Sequence, residues 1–277
     1  MRAFAAVQLR IERNLRTPPV ALEVFSGSGH WARAFGRRGF WVVEVDIVHG
    51  CDLLAAGFLA RVRGWILAGA VQALHMGAPC SSWSRARDRP GGPPRLRDDG
   101  PGLMGRPGLR ACDQEKVLLG NRLMVATAAL ARAAIHMRVP GSIENPLLSR
   151  LWLAAPMRRL LTFGSRRADA GELDVRVRVY KLDFCAYGTP WKKPTAVMSW
   201  CLNLDGIARR CTAAHKCCEF SGRPHHQLCG VDPTSGKFWT LLAEPYPRRL
   251  CAAWARCVEE AVAHRALAPL ARVAAGS

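Results

Sequence analysis

Two short stretches of the chain carry side chains that could do chemistry together. The stretch "GAPCSSWS" places a thiol, Cys80, between a proline and a run of small hydroxyl residues. The stretch "IENP" places a carboxyl and an amide, Glu144 and Asn145, directly before Pro146. A thiolate is a strong nucleophile, and a carboxylic acid beside it can donate a proton. These residue types suggest nucleophilic attack with acid assistance, provided that the fold brings them together.

A third stretch, "FSGSGHWA", indicates a ligand-binding turn. Gly27, Gly29 and Ala32 fit the pattern G-x-G-x-x-A after the apolar run "PVALEV". Glycines there let the backbone approach a ligand closely, and free amides at the start of the next helix favour a polar or anionic group. An acid follows about 20 residues later, at Glu44 or Asp46, where ribose hydroxyls would bind. The pattern fits a nicotinamide cofactor and S-adenosylmethionine equally well.

The elements that must position these residues alternate between strand and helix. The stretches "PVALEV", "WVVEVDI", "VQALHM" and "VPGSIEN" read as strands, and "HWARAFGRRGF" between the first two reads as a helix. This rhythm predicts an α/β fold with a Rossmann-like parallel sheet. Because ligands bind at the carboxyl ends of parallel strands, the glycine turn, the acid, Cys80 and Glu144 should share one edge. A dehydrogenase has no clear need for Cys80 and Glu144, whereas methyl transfer to a pyrimidine ring does.

The order "FSGSG", "GAPCSSWS", "ENP" and "YGTPWKKP" resembles the cytosine-5 methyltransferases, over roughly residues 20–200. It is also similar to arginine-rich methyltransferase-like proteins of some protists. The resemblance implies a sheet of the S-adenosylmethionine-dependent methyltransferase type, with methyl transfer to carbon 5 of cytosine in nucleic acid. DNA is preferred over RNA as the partner.

The resemblance also implies roles for individual residues. Cys80 would attack carbon 6 of the cytosine, Glu144 would protonate or hydrogen-bond the ring nitrogen, and Asn145 would orient the base or the loop. S-adenosylmethionine would be bound by Phe25, Gly27, Gly29, Asp46 and Asp52. Of the two acids after the second strand, Asp46 is the preferred ribose partner, because Glu44 lies deeper in the strand.

The chain departs from the family pattern at several positions. Ser81 stands where the family has glutamine, Pro146 where it has valine, and Trp191, Lys193 and Thr195 where it has glutamine and arginines. Two other interpretations therefore stay open. One is a non-catalytic nucleic-acid-binding relative of the same fold, and the other is a dinucleotide-dependent oxidoreductase.

The charge of the chain favours a polyanionic partner. Lys and Arg number 40 against 21 Asp and Glu, which gives a net charge of +19, although an arginine-rich genome composition explains the excess equally well. Segment 83–111 is rich in Gly, Pro and Arg, and we expect a mobile loop beside Cys80. The predicted phosphate contacts are Arg85, Arg87, Lys192 and Lys193.

A stretch rich in cysteine and histidine predicts a small insert over residues 201–236. Cys211, His215, Cys218 and His225 are spaced as ligands of a tetrahedral zinc ion, although the spacing also suits a polar loop with incidental thiols. The insert would separate a methyltransferase-like core, residues 18–200, from a closing helix within residues 237–275.

The remaining features concern the compartment. The N-terminal stretch "MRAFAAVQLRIERNLR" is too charged for a secretory signal, and no long uncharged apolar run predicts a membrane span. The cysteines, 11 in number, show no secreted-scaffold pattern. We therefore expect an intracellular protein, nuclear or cytoplasmic, with no membrane partner.

Overall fold

A computed structural model describes residues 18–89, 92–163, 176–213 and 217–274, together with residues 6, 7, 9, 10, 13 and 15. Strands and helices alternate along most of the chain. In order they are β1 (Val20–Val24), α1 (His30–Gly36), β2 (Trp41–Val45), α2 (Phe58–Leu67), β3 (Ala73–Met76), α3 (Ala111–His136), β4 (Gly141–Pro146), α4 (Ala155–Thr162), β5 (Arg178–Asp183), β6 (Pro194–Trp200), α5 (Trp239–Leu242) and α6 (Arg248–Ala274).

The six strands form one mostly parallel sheet in the order β2-β1-β3-β4-β6-β5. Strands β2, β1, β3 and β4 run parallel, and β6 runs antiparallel to both β4 and β5. This confirms the predicted α/β class and is compatible with a Rossmann-like fold. The chain leaves β1 towards β2 on one side, and β3 joins on the other side. A crevice for ligands is expected beyond β1 and β3, where the winding direction reverses.

Apolar side chains cover both faces of the sheet. Leu22, Val24 and Met76 pack on one face in a cluster that includes residues of α2, α3 and α4. Ala21 points to the other face, in a cluster with Phe35 of α1 and residues of α6. A parallel strand buried on both faces needs a continuous apolar run rather than alternation. This explains why β1 reads "VALEV", with a single interruption at Glu23.

Helix α3 is long and apolar enough to cross a membrane by length and composition alone. However, 56% of its apolar window is buried inside this protein. Burial of this extent is what the core helix of a folded domain also shows. The expectation of no membrane partner stays a prediction.

Segment 83–111, predicted as a mobile loop, is tied to α3 in its described part. The Arg97 side chain is buried, and its guanidinium lies 3.4 Å from the centre of the Trp83 ring. It donates hydrogen bonds to the carbonyl oxygens of Ser82 and Val117. Arg150, after β4, ties the same segment through bidentate bonds to Asp88. The base of the loop is therefore fixed, and its movement stays a prediction.

Candidate active site at the carboxyl edge of the sheet

The glycine turn after β1 depends on left-handed backbone. Phe25, Gly27 and Gly29 have φ of 63°, 51° and 64°. The positive φ of Gly29 favours glycine, and a Cβ there would lie 2.9 Å from Oε1 of Glu44, whereas a Cβ on Gly27 would meet nothing within 4 Å. The turn therefore has open space at Gly27 and a close-packed carboxylate at Gly29. The Oγ of Ser26 is buried with no hydrogen-bond partner among the described residues.

The predicted ribose partner, Asp46, holds the turn itself. Its two carboxylate oxygens accept hydrogen bonds from the amides of Gly27, at 2.9 Å, and Val48, at 3.0 Å. Glu44 lies beside Gly29 and 3.6 Å from the His49 ring. Asp52 accepts a hydrogen bond from the Leu54 amide at 2.8 Å and is exposed. Of these acids, Asp46 binds the turn through the Gly27 amide, and Glu44 packs beside Gly29.

Glu23 is a functional candidate that the sequence prediction missed. It is fully buried in β1, and one carboxyl oxygen accepts a hydrogen bond from the Ala32 amide at 3.0 Å. Burial, reinforced by the negative charges of Glu44 and Asp46, raises the pKa of Glu23 to about 9. The residue is therefore protonated at neutral pH. A lone acid within an apolar strand was the available signal.

Cys80 lies just beyond β3 and is partly exposed. Its carbonyl oxygen accepts hydrogen bonds from the amides of Trp83 and Ser84, which fold the following residues into a turn. Burial raises the pKa of the Cys80 thiol to about 11, the Glu144 carboxylate adds to the rise, and the Lys193 ammonium opposes it. The thiol is therefore protonated at neutral pH in this state of the protein.

Glu144 and Asn145 lie on β4, the strand next to β3. The Asn145 amide donates a hydrogen bond to the carbonyl oxygen of Ala78 at 2.6 Å, which fastens the Cys80 turn to β4. Burial raises the pKa of Glu144, against the lowering effects of Lys193, Tyr246 and Thr195. Oε1 of Glu144 and Oδ1 of Asn145 are buried and have no partner within the described part of the chain. Each residue therefore keeps one buried oxygen that no described group binds.

Lys193, predicted as a phosphate contact, lies inside the site. Its ammonium donates to the carbonyl oxygen of Ala243 at 2.8 Å and lies 4.4 Å from the centre of the Phe184 ring. From there it lowers the pKa of both Cys80 and Glu144. The structure thus gives Lys193 a place beside the thiol and the carboxyl, and Lys192 next to it is partly exposed.

Arg85 and Arg87, the other predicted phosphate contacts, already bind the protein. Arg85 forms an ion pair with Asp99 at 2.7 Å and donates to the carbonyl oxygen of Leu148. Arg87 donates to the carbonyl oxygens of Ser81 and Pro94. In this arrangement both arginines brace the loop that follows Cys80.

Tyr246, just before α6, connects the site to the core and was not predicted. Its hydroxyl donates to Glu144 Oε2 at 3.1 Å and lies 3.1 Å from Nε2 of His75. His75 Nδ1 lies 3.0 Å from the Ser142 hydroxyl. Burial lowers the pKa of His75 to about 3, so this ring is neutral. A chain of hydrogen bonds therefore runs from Ser142 through His75 and Tyr246 to Glu144.

The carboxyl ends of β1, β3 and β4 lie at the same edge of the sheet. A Cβ on Gly77 would lie 2.7 Å from the Tyr246 hydroxyl and 3.3 Å from the Phe25 carbonyl oxygen. The turn after β1, the residues after β3 and the Tyr246 contact with β4 therefore meet around Gly77. One edge of the sheet carries the glycine turn, the thiol and the acid.

Two cavities have linings that include none of Cys80, Glu144 and Lys193. A cavity of about 570 Å³ between α1 and α6 is lined mostly by basic side chains. They are His30, Arg33, Arg37, Arg38, Arg248 and Arg256. We call this cavity the arginine groove. The other, of about 410 Å³, lies beside β5 and α6 and is lined by Arg176, Cys201 and His264 among others.

The Cys/His-rich stretch forms a compact cluster. The ligand atoms of Cys185, Cys211, Cys218 and His225 all lie within 4.8 Å of one another and could hold a metal ion. Three of these residues were predicted as ligands. The fourth predicted ligand, His215, lies outside the described residues. Cys185, which is 26 residues before Cys211 in the chain, was missed because the spacing pattern was sought within one stretch.

Comparison with known proteins adds no family to these observations. No family model matches the chain, and a search of curated proteins returns no significant match.

Proposed function

We propose that this protein is an S-adenosylmethionine-dependent methyltransferase that acts on carbon 5 of cytosine in nucleic acid, with DNA preferred over RNA. The observation that carries the proposal is the placement of Cys80 and Glu144 at the ends of neighbouring strands. The charge of Glu144 affects the Cys80 thiol, and the charge of Lys193 affects both groups. A nucleophile, an acid and a cation beside a glycine turn are the groups that this reaction requires.

In the first step the Cys80 thiol gives its proton to solvent, which reaches this partly exposed residue, and the thiolate attacks carbon 6 of the cytosine. The electron pair of the carbon 5–carbon 6 double bond moves towards the ring nitrogen, which takes the proton of Glu144. The raised pKa of Glu144 keeps that proton available. The Lys193 ammonium stabilises both the thiolate and the glutamate that forms.

S-adenosylmethionine, when bound, supplies a methyl group on a sulfonium, and carbon 5 takes that group while the sulfur keeps the bonding pair as a neutral thioether. Loss of the carbon 5 proton to a solvent base then re-forms the double bond. The carbon–sulfur bond to Cys80 breaks with its electron pair, and the ring nitrogen returns its proton to Glu144. The Cys80 thiolate then takes a proton from solvent, and the chain's own residues end in their starting state.

The residues of the glycine turn fit a cofactor of this kind. The space in front of Gly27 is open, the Ser26 hydroxyl is buried with no partner in the described chain, and Glu44 lies against Gly29. A carboxylate suits ribose hydroxyls, and a backbone without side chains suits close approach of the donor. We propose Glu44 in the ribose role, because Asp46 is engaged by two backbone amides.

The arginine groove supplies a surface for the nucleic-acid backbone. Arg37, Arg248 and Arg256 are exposed and form no salt bridge with any described residue, whereas Arg38 pairs with Glu259. The groove reaches the site through His30, whose Nδ1 lies 2.7 Å from the Tyr246 carbonyl oxygen. Unpaired arginines in a concave surface favour phosphate binding.

A second candidate function is nucleic-acid binding without catalysis. It is favoured by the pKa of about 11 at Cys80, which leaves the nucleophile protonated, and by the basic lining of the arginine groove. An oxidoreductase would use the glycine turn but would leave Cys80, Glu144 and Lys193 without a role.

The experiment is transfer of a labelled methyl group from S-adenosylmethionine to cytosine-containing DNA and to RNA of the same sequence, followed by identification of the methylated nucleoside. We expect 5-methyldeoxycytidine from DNA and less product from RNA. Glu144→Gln should lower the yield by about a hundredfold or more, because the proton donor is lost. Glu115→Gln, an exposed glutamate on α3, is the matched control. Binding of DNA without methylated product would favour the non-catalytic function.

A further inference from the structure

We propose that Cys185, Cys211, Cys218 and His225 bind one structural zinc ion, which fastens the Cys/His-rich insert to the end of strand β5. This ligand set differs from the set predicted within the insert, because Cys185 belongs to the connection between β5 and β6. The site contains neither Cys80 nor Glu144 and does not depend on the proposed methyl transfer.

The distances fit tetrahedral coordination. The Sγ atoms of Cys211 and Cys218 are 4.0 Å apart, and Sγ of Cys211 lies 3.7 Å from Nε2 of His225. Zinc bonds of tetrahedral geometry place two thiolates ~3.8 Å apart and a thiolate and an imidazole nitrogen ~3.6 Å apart. A disulfide would instead require the two sulfurs at ~2.05 Å. The cluster therefore has the size of a zinc site.

The backbone around the cluster is already arranged to hold it. The Cys211 amide donates to the Asp183 carboxylate at 2.7 Å, which fixes this ligand at the end of β5. The Cys218 amide bonds to the Arg223 carbonyl oxygen, and Cys217 pairs with Pro224 across a tight turn that carries Cys218 and His225 to the same side. Three of the four ligands are buried, and His225 is partly exposed.

The described part of the insert from Cys211 onward needs such a fastening because it has few buried apolar side chains, whereas Leu202, Leu204 and Ile207 pack in the main core. The buried cluster there consists of Cys185, Cys211 and Cys218, with Ala213 and Phe220 packed against it. Small modules with so few apolar side chains are commonly stabilised by a metal or by disulfides. Four protein ligands leave no open position, so the ion would have a structural and not a catalytic role.

The zinc would also affect the candidate active site, through the position of Lys193. Cys185 lies in the helical turn Phe184–Tyr187, and the Phe184 amide donates to the Lys192 carbonyl oxygen at 2.7 Å. The Phe184 ring lies under the Lys193 ammonium. The metal would therefore hold the turn against which Lys193 is positioned.

The test is the metal content of the full chain, expressed with zinc and purified with a thiol reductant but without chelator. We expect about one zinc per chain and a loss of most of it in Cys185→Ser. Cys229→Ser, an exposed cysteine of the same stretch outside the cluster, should keep the metal. A wild-type protein without zinc, or Cys185→Ser with full zinc, would overturn the proposal.

A second measurement covers the case in which Cys185→Ser does not fold. Cobalt(II) exchanged into the wild-type protein should show tetrahedral ligand-field bands and thiolate charge-transfer absorption. His225→Cys should keep the metal and strengthen the charge-transfer absorption, since a fourth thiolate replaces the imidazole. Octahedral bands, or no change between the two proteins, would rule out this ligand set.

Discussion

Among individual residues, Cys80 has a thiol whose pKa depends on burial and on the charges around it. Burial and Glu144 raise the pKa of the thiol, and Lys193 opposes them. Lys193 therefore keeps the pKa of the thiol lower than burial and Glu144 alone would set it. The sequence suggested only a phosphate contact, because a lysine after "GTPW" gives no sign of the direction in which its side chain turns.

Replacing Lys193 by Gln should slow alkylation of Cys80 by iodoacetamide between pH 8 and pH 10. Only the thiolate reacts, so the wild-type rate should rise about tenfold per pH unit up to a pKa near 11. Without the ammonium the pKa rises further, and the rate at fixed pH should fall by about threefold to tenfold. Peptide mass spectrometry measures the rate at Cys80. Lys193→Arg should stay close to wild type, and equal rates in all three proteins would contradict the role of Lys193.

Glu23→Gln should flatten the dependence of stability on pH. The pKa of Glu23 is about 9 in the folded protein against 4.5 as the ordinary value, so between these values the folded state holds a proton that the unfolded state has lost. The free energy of unfolding therefore falls as pH rises through this window, by up to about 1.4 kcal/mol per pH unit from this group. Urea denaturation at pH 5.5, 7 and 8.5 measures the slope. The exposed Glu115→Gln should keep the wild-type slope, and an unchanged slope in Glu23→Gln would show that Glu23 is ionised.

The residues predicted from the sequence were those at strand ends. Cys80, Glu144 and Asn145 could be placed because a parallel sheet gathers its carboxyl ends at one edge. Tyr246 could not be placed, since it reaches Glu144 from 102 residues further along the chain. The role of His75 could not be predicted either, because the sequence does not distinguish a buried neutral histidine from any other polar residue within a strand.

Among the elements, the contact between β1, β3 and the start of α6 fixes the site. Gly77 allows it, since its hydrogen lies where a methyl group would meet the Tyr246 hydroxyl at 2.7 Å and the Phe25 carbonyl oxygen at 3.3 Å. Strand β1 was predicted well, because its continuous apolar run is typical of a buried parallel strand. The direction of β6 could not be predicted, because the apolar residues of a strand do not distinguish parallel from antiparallel pairing.

Gly77→Ala should destabilise the protein by about 1–3 kcal/mol, as overpacking of a close contact does. It should also weaken the hydrogen bond from Tyr246 to Glu144, because the tyrosine must shift. Thermal or urea unfolding measures the first effect. Gly64→Ala, in the interior of α2 with nothing within 4 Å of the added carbon, should instead be neutral or stabilising. Equal stability of Gly77→Ala and wild type would mean that this contact is loose.

The groove between α1 and α6 gives a prediction about binding. Replacing Arg37, Arg248 and Arg256 by Gln should weaken DNA binding and lower the slope of log affinity against log salt by about 2–3, if each contacts one phosphate. Fluorescence anisotropy at several salt concentrations measures the slope. The matched control replaces Arg63, Arg158 and Arg159, exposed arginines on α2 and α4, which pack on the other face of the sheet. An equal loss in both triple variants would indicate binding by general charge alone.

For the whole molecule, the mostly parallel sheet is the feature that the sequence predicted most directly, through the alternation of strands and helices. The net charge of +19 follows from the composition itself. Neither feature depends on a single side chain. The contact of the insert with the end of β5 through Cys185 could not be predicted, because Cys185 lies outside the stretch that carries the Cys/His spacing pattern. The proposed function depends on the edge of the sheet, where a buried acid, a thiol and a cation lie together. None of these groups is needed there for apolar packing.

The most direct measurement uses DNA that contains 5-fluorocytosine, incubated with S-adenosylmethionine and the full chain. Fluorine at carbon 5 cannot leave as a proton does, so a nucleophilic enzyme is trapped on its substrate. We expect a covalent protein–DNA adduct that survives denaturing electrophoresis and maps to Cys80. The adduct should be absent in Cys80→Ala and retained in Cys112→Ala, whose thiol is exposed at the start of α3. Tight DNA binding by the wild-type protein with no adduct at Cys80 would contradict the proposed catalysis.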